Sequence, residues 1–138
     1  MLDLNDTEGA HIDVRLRAEP IIWLSSVRLD GNPHLVPVWF LWDGAAILIF
    51  SKPAAQKVRN LRHNPQVMLA LDSADEGEDV VLLHGRAELL GTDAPRSTLP
   101  GYAEKYAALM ARIDMTADWH AAEYSQAIRV TLERLVRF

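Results

Sequence analysis

The stretch that most constrains this chain is His34–Trp42, which is apolar on both faces when read as a strand. Successive side chains on a strand point to opposite sides. Val36, Val38, Phe40 and Trp42 therefore share one face, and Leu35, Pro37, Trp39 and Leu41 share the other. Both faces need cover. One can fill the core of a β structure; the other calls for a helix of the same chain, a partner subunit, a flat ligand, or a partner and ligand together. Pro37 adds a second constraint. It has no N–H to give to a ladder, so it belongs on a sheet edge or at an interruption. An interruption there would leave backbone groups able to hydrogen-bond the polar edge of a heterocycle; a simple β-bulge is the other reading.

The neighbouring segments place this strand in a meander. Ile21–Arg28 is rich in β-branched and aromatic residues, and Leu29–Pro33 is a turn cluster containing Asp30-Gly31, a strong hairpin signal. Asp43-Gly44 makes the next turn and residues 45–51 the third strand. Pro53 then suits the first turn of a helix running to about His63, before Asn64-Pro65. Gln66–Asp72 and Val80–Leu90 read as strands separated by an acidic loop, Ser73–Asp79. Tyr102–Ile113 reads as an amphipathic helix with Tyr102, Tyr106, Leu109 and Ile113 on one face, and Ala117–Glu123 as a short helix. Gln126–Val136 alternates polar and apolar residues as a half-buried last strand. Upstream, a short helix is expected over His11–Ala18 and a loose arm over residues 1–10. Six strands with few helices predict a mainly β domain, a closed or nearly closed antiparallel barrel, with a β-sandwich as the alternative.

The chain has 138 residues, enough for one domain, 1–138, with its own core. It has no cysteine, which excludes disulfides, thiolate metal sites and a cysteine nucleophile. Its net charge of −5 argues against broad nucleic-acid binding. The N-terminus lacks a basic region and an apolar stretch, and no apolar run is long enough to span a membrane. These features point to a soluble, cytoplasmic protein. The five histidines show no metal-ligand spacing, and no nucleotide-binding glycine motif or nucleophile elbow is present. No catalytic side chain and no metal site is assigned. The tyrosines and Trp119 are read as packing residues.

One segment suggests an anion site. On a helical wheel of residues 54–63, Ala54, Val58 and Leu61 form the buried stripe, Lys57 and Asn60 lie along its flank, and Arg59 and Arg62 face solvent. Ser51 and Lys52 stand at the corner before the helix. A hydroxyl, two ammonium groups and free helix N-terminal amides would together hold an anion.

The succession Pro33-His34-Leu35-Val36-Pro37-Val38-Trp39-Phe40, Asp43-Gly44, Phe50-Ser51-Lys52, Lys57-Val58-Arg59-Asn60-Leu61 and Asn64-Pro65 resembles the pyridoxamine 5′-phosphate oxidase-like superfamily. It is most similar to that superfamily's small members described as F420-dependent enzymes. The resemblance runs from about Arg15 through the last strand. It implies a six-stranded split β-barrel of the FMN-binding type, a homodimer, and a flavin or deazaflavin at each subunit interface. Carried over residue by residue, it places the ring near Val36, Pro37, Val38 and Trp39, and the phosphate near Ser51, Lys52, Lys57 and Asn60, with Phe50 counted among the cofactor-binding residues. The chain lacks the longer length and the arginine-rich C-terminal motif of authentic pyridoxamine phosphate oxidases, so a different substrate is expected. The function expected is an oxidoreductase moving a hydride between F420 and an electron-poor small organic acceptor. FMN in place of F420 is one alternative, and a flavin- or haem-storing module without turnover is another.

Overall fold

A computed structural model describes residues 2–138. Its elements are α1 (Thr7–Ala18), β1 (Ile22–Val27), β2 (Pro33–Val38), β3 (Leu41–Trp42), β4 (Ile47–Ser51), α2 (Gln56–Leu61), β5 (Gln66–Leu71), β6 (Leu82–Leu89), α3 (Pro100–Arg112), α4 (Ala117–Glu123) and β7 (Gln126–Leu135), with one 3₁₀ turn at Asp75–Gly77. All strands belong to one sheet of order β2-β1-β5-β6-β7-β4-β3, and every pairing is antiparallel. The two edge strands, β2 and β3, are consecutive in the chain. The link Trp39-Phe40 therefore carries the chain from one open edge of the curled sheet to the other, which makes this a split barrel.

The sheet has seven strands where six were expected, because His34–Trp42 is divided at that link. β2 pairs with β1, with Trp23 opposite Pro37. β3 pairs with β4. Pro37 is thus an edge residue inside a regular pairing, and the interruption lies two residues later. The Phe40 backbone freed there is satisfied within the chain. The Phe40 N–H donates to Tyr106 Oη at 2.8 Å, and the Phe40 carbonyl accepts from Lys105 Nζ at 2.9 Å.

The inner face of the sheet forms the core. Ile22, Leu24, Val38, Trp42, Ile47, Ile49, Val67, Leu69, Leu83, Ile128, Val130 and Leu132 are all buried in one cluster, joined by Ile12 and Leu16 of α1 and Val58 and Leu61 of α2. Burying a side chain of this size contributes about 2 kcal/mol each, so this cluster dominates the stability of the fold. A second cluster covers part of the outer face. Tyr102, Tyr106 and Met110 of α3 pack with Phe50 and Ala127, and Trp39, Leu41, Met115 and Tyr124 lie against them.

Several boundaries differ from the sequence reading. α1 begins at Thr7, because Asp6 caps it by accepting from the Gly9 N–H at 2.7 Å. The segment before it is anchored by the Leu2 N–H, which donates to the Leu132 carbonyl at 3.0 Å. Residues 7–10, expected in a loose arm over 1–10, are thus helical; Met1 lies outside the described residues. α2 begins at Gln56, not Pro53, and spans only six residues. Ile113, expected on the buried face of α3, instead caps that helix with φ −108° and ψ 15° and is exposed. Among the described residues, no helix is long and apolar enough to cross a membrane.

Candidate functional site

Nine residues converge on a cavity of about 190 Å³. Pro37 and Val38 come from β2, Trp39 from the β2–β3 link, Phe50 from β4 and Lys57 from α2. Tyr102 comes from α3, Met115 from the α3–α4 link, His120 from α4, and Tyr124 caps α4. The β2–β3 interruption frees Trp39 to turn toward α3 and α4, and the two helices supply the rings that meet it.

Those rings form a column. Trp39 stacks on Tyr106 with centroids 4.5 Å apart and planes 4° from parallel. It also stacks with His120 at 5.6 Å and 8°, and His120 stacks on Tyr124 at 4.4 Å and 11°. Tyr102 flanks the column, in edge contact with Phe50 at 4.9 Å and tilted against Tyr106 at 4.8 Å. Trp39 thus has two stacked partners within its own chain.

The column is held by hydrogen bonds at its inner end. Tyr106 Oη donates to the Pro20 carbonyl at 2.7 Å while accepting from the Phe40 N–H, so its one proton is committed. Lys105 Nζ lies 3.8 Å from the centroid of the Phe40 ring, and burial brings its pKa down to about 8. His120 Nδ1 shares a 2.7 Å hydrogen bond with Ser97 Oγ, and burial pushes the imidazole pKa down, favouring the neutral ring.

Two polar groups on the cavity are not used in this way. The Lys57 ammonium makes no ion pair or hydrogen bond among the described residues, and burial lowers its pKa from the usual lysine value. The Tyr102 residue is completely buried, and its hydroxyl has no hydrogen-bond partner among the described residues. Burial also pushes the Tyr102 phenol well above its ordinary range, so it stays protonated.

Of the nine residues expected at the site, Pro37, Val38, Trp39, Phe50 and Lys57 line the cavity. The other four lie outside its lining. Val36 is half-buried against the barrel core. Ser51 is buried and its hydroxyl donates to the Lys52 carbonyl at 2.9 Å. Lys52 is exposed, its ammonium 5.6 Å from the Tyr124 ring centroid. Asn60 is 1% exposed, and its amide is spent inside the chain. It donates to Ser26 Oγ at 2.9 Å and accepts from Gln56 Nε2 at 2.7 Å. This network ties α2 to β1 and so fixes where Lys57 emerges. Because α2 starts at Gln56, the Ser51-Lys52 corner does not stand at its N-terminus. What the structure brings together is therefore two lysines near an aromatic cavity.

Four lining residues were missed in the sequence. Tyr102 and Tyr124 were read as packing, His120 was set aside for want of metal spacing, and Met115 was not singled out as a site residue. The available signal was the repeated four-residue spacing of Tyr102 with Tyr106 and of His120 with Tyr124, which puts two rings on one face of each helix.

Comparison with known proteins agrees with this architecture. A conserved hypothetical protein from Mycobacterium tuberculosis superposes with a TM-score of 0.72 at 24% identity, covering 91% of this chain and 81% of that one. The heme storage protein HutZ from Vibrio cholerae gives a TM-score of 0.63 at 16% identity, covering 96% and 92%. An F420 reductase gives 0.54 at 24% identity, covering 88% and 91%. At these identities the likeness is one of fold. A search of curated proteins finds no match. The family profile of pyridoxamine 5′-phosphate oxidase matches residues 9–136, nearly the whole described chain. The chain belongs to the pyridoxamine 5′-phosphate oxidase family.

Proposed function

We propose that this protein is an oxidoreductase that binds F420 in the cavity beside Lys57 and works on an electron-poor small organic acceptor. The observation that carries the reading is the Lys57 ammonium, partly desolvated and unpaired among the described residues, on the lining of an aromatic-walled cavity. A half-buried cation without a counter-charge is unfavourable until an anion reaches it. A ligand that is flat and apolar at one end and anionic at the other meets both demands. F420, with its deazaflavin ring and phosphate-bearing tail, is such a molecule. Family membership and the F420 reductase among the structural neighbours support the same choice.

The fit is partial within one chain. A cavity of about 190 Å³ is below the roughly 300 Å³ that encloses a drug-sized ligand, so a tricyclic ring would extend beyond it. The adjoining outer face of β2 is bare: Leu35 is 60% exposed and Pro37 is exposed. A second copy of the chain covering that face would complete the site, so the proposed working unit is a homodimer. Pro37 and Val38 would lie along the ring, Lys57 would hold its phosphate, and Lys52 would add a second cation at the mouth. When bound, reduced F420 supplies the hydride, and the chain's own residues orient the ring and exclude water from it.

FMN offers the same combination of flat ring and phosphate and is the alternative cofactor. The test is oxidation of reduced F420, followed by absorbance, across a panel of conjugated enones and imines. Acceptor-dependent turnover is expected, and Lys57→Ala should lower it by at least about tenfold at limiting cofactor. Binding of F420 without turnover on any acceptor would favour a storage role. Turnover with FMN alone would transfer the reading to that cofactor.

A further inference from the structure

α3 presents two tyrosines one turn apart, and their hydroxyls have opposite fates. Tyr106 Oη is engaged with Phe40 and Pro20. Tyr102 Oη is buried without a partner among the described residues, on a residue that lines the cavity. A buried hydroxyl left unpaired is uncommon in folded proteins and points to a partner that arrives from outside the chain. Phe50, Tyr106 and His120 pack around the Tyr102 ring, with centroids 4.9, 4.8 and 5.7 Å away, and so hold it beside the cavity.

We propose that the Tyr102 hydroxyl is the hydrogen-bond donor that reads a carbonyl oxygen or ring nitrogen on the flat molecule occupying this cavity. This rests on the cavity being the ligand site proposed above, but not on which cofactor fills it. The surroundings select its role. Burial disfavours the phenolate, so the group keeps its proton and acts as a neutral donor that positions and polarises an acceptor atom. Lys57 supplies the charge recognition at another point of the wall, and Tyr102 supplies the direction. The acceptor atom belongs either to the cofactor's ring edge or to the organic acceptor lying against it.

Tyr102→Phe removes one oxygen that no described residue uses, so the unliganded variant is expected to unfold at the same or a higher urea concentration than wild type. The ligand arms use F420, FMN and the bare flavin ring lumichrome, each titrated by fluorescence into wild type and variant, and the KM for a conjugated enone. Weakening of a ring-bearing probe by about fivefold to tenfold in the variant supports the proposal with the cofactor as partner. Unchanged cofactor binding with a raised enone KM supports it with the acceptor as partner. If wild type binds lumichrome in a Tyr102-dependent way but neither F420 nor FMN, the proposed function fails and the donor assignment stands. Equal affinities and equal KM values in both proteins overturn the proposal. So does a clear loss of stability in the unliganded variant, because the hydroxyl would then already be satisfied without a ligand.

Discussion

Lys57 shows how a single residue can be read from a pattern and still need the structure to define its role. The helical wheel placed it beside the buried stripe of α2, and it does emerge from that flank, on the rim of the cavity. Its neighbour on the wheel, Asn60, did not follow. One more step of rotation takes Asn60 into the barrel wall, where its amide is more use to Ser26 than to a ligand. A pH prediction follows from the burial of Lys57. Its ammonium loses its proton at a lower pH than an ordinary lysine, so attraction for an anion fades earlier on the alkaline side. Binding of a phosphate-bearing cofactor should therefore weaken below the usual lysine titration range as pH is raised. Lys57→Arg, which stays charged, should keep its affinity over that interval. The check is a series of titrations from neutral to alkaline pH on both proteins. A parallel decline in the two would remove Lys57 from the anion site. The four-residue spacing of His120 and Tyr124 marks a shared helix face, but the stacking of His120 on Trp39 joins distant parts of the chain and leaves no local trace.

At the scale of elements, the turns and strands were largely readable, since Asp-Gly hairpins and alternation act locally. The division of His34–Trp42 was only half readable. Its double apolarity showed that two covers were needed, and Pro37 left an edge or an interruption open, of which the structure gives the edge. The true break, at Trp39-Phe40, depends on Tyr106 and Lys105 of a helix far along the chain, which receive the backbone groups the sheet gives up. α3 thereby acts as a clamp on the closing link of the barrel. Tyr106→Phe should leave the Phe40 N–H and the Pro20 carbonyl unpaired and cost about 2 kcal/mol, measurable as a lower urea midpoint. The same substitution should also loosen Trp39, seen as a shift in its fluorescence. A variant as stable as wild type would mean the clamp is dispensable. The shortened α2 has a plain physical cause as well: the stretch from Lys52 to Ala55 makes a turn of its own, with the Ala55 N–H donating to the Lys52 carbonyl at 3.1 Å.

For the molecule as a whole, the sheet is covered unevenly. Inside, the core is complete; outside, α3 and α4 shield the part around Phe50 and Ala127, while Leu35 and Pro37 of β2 remain open. The proposed homodimer closes that face and enlarges the cavity at once. Leu35→Asp should then shift the protein toward a monomer in sedimentation equilibrium and weaken cofactor binding with it, since an interfacial charge is costly to desolvate. A monomeric wild type, or a variant that dissociates yet binds as tightly, would separate the site from the interface. The central claim is that the aromatic cavity beside Lys57 takes a flat, anionic cofactor. It is tested most directly by titrating F420 and FMN into wild type and Lys57→Ala and following cofactor fluorescence. Saturable binding to wild type, weakened at least about tenfold by the substitution, is the expected result; equal binding by the two proteins, or none by wild type, would contradict it.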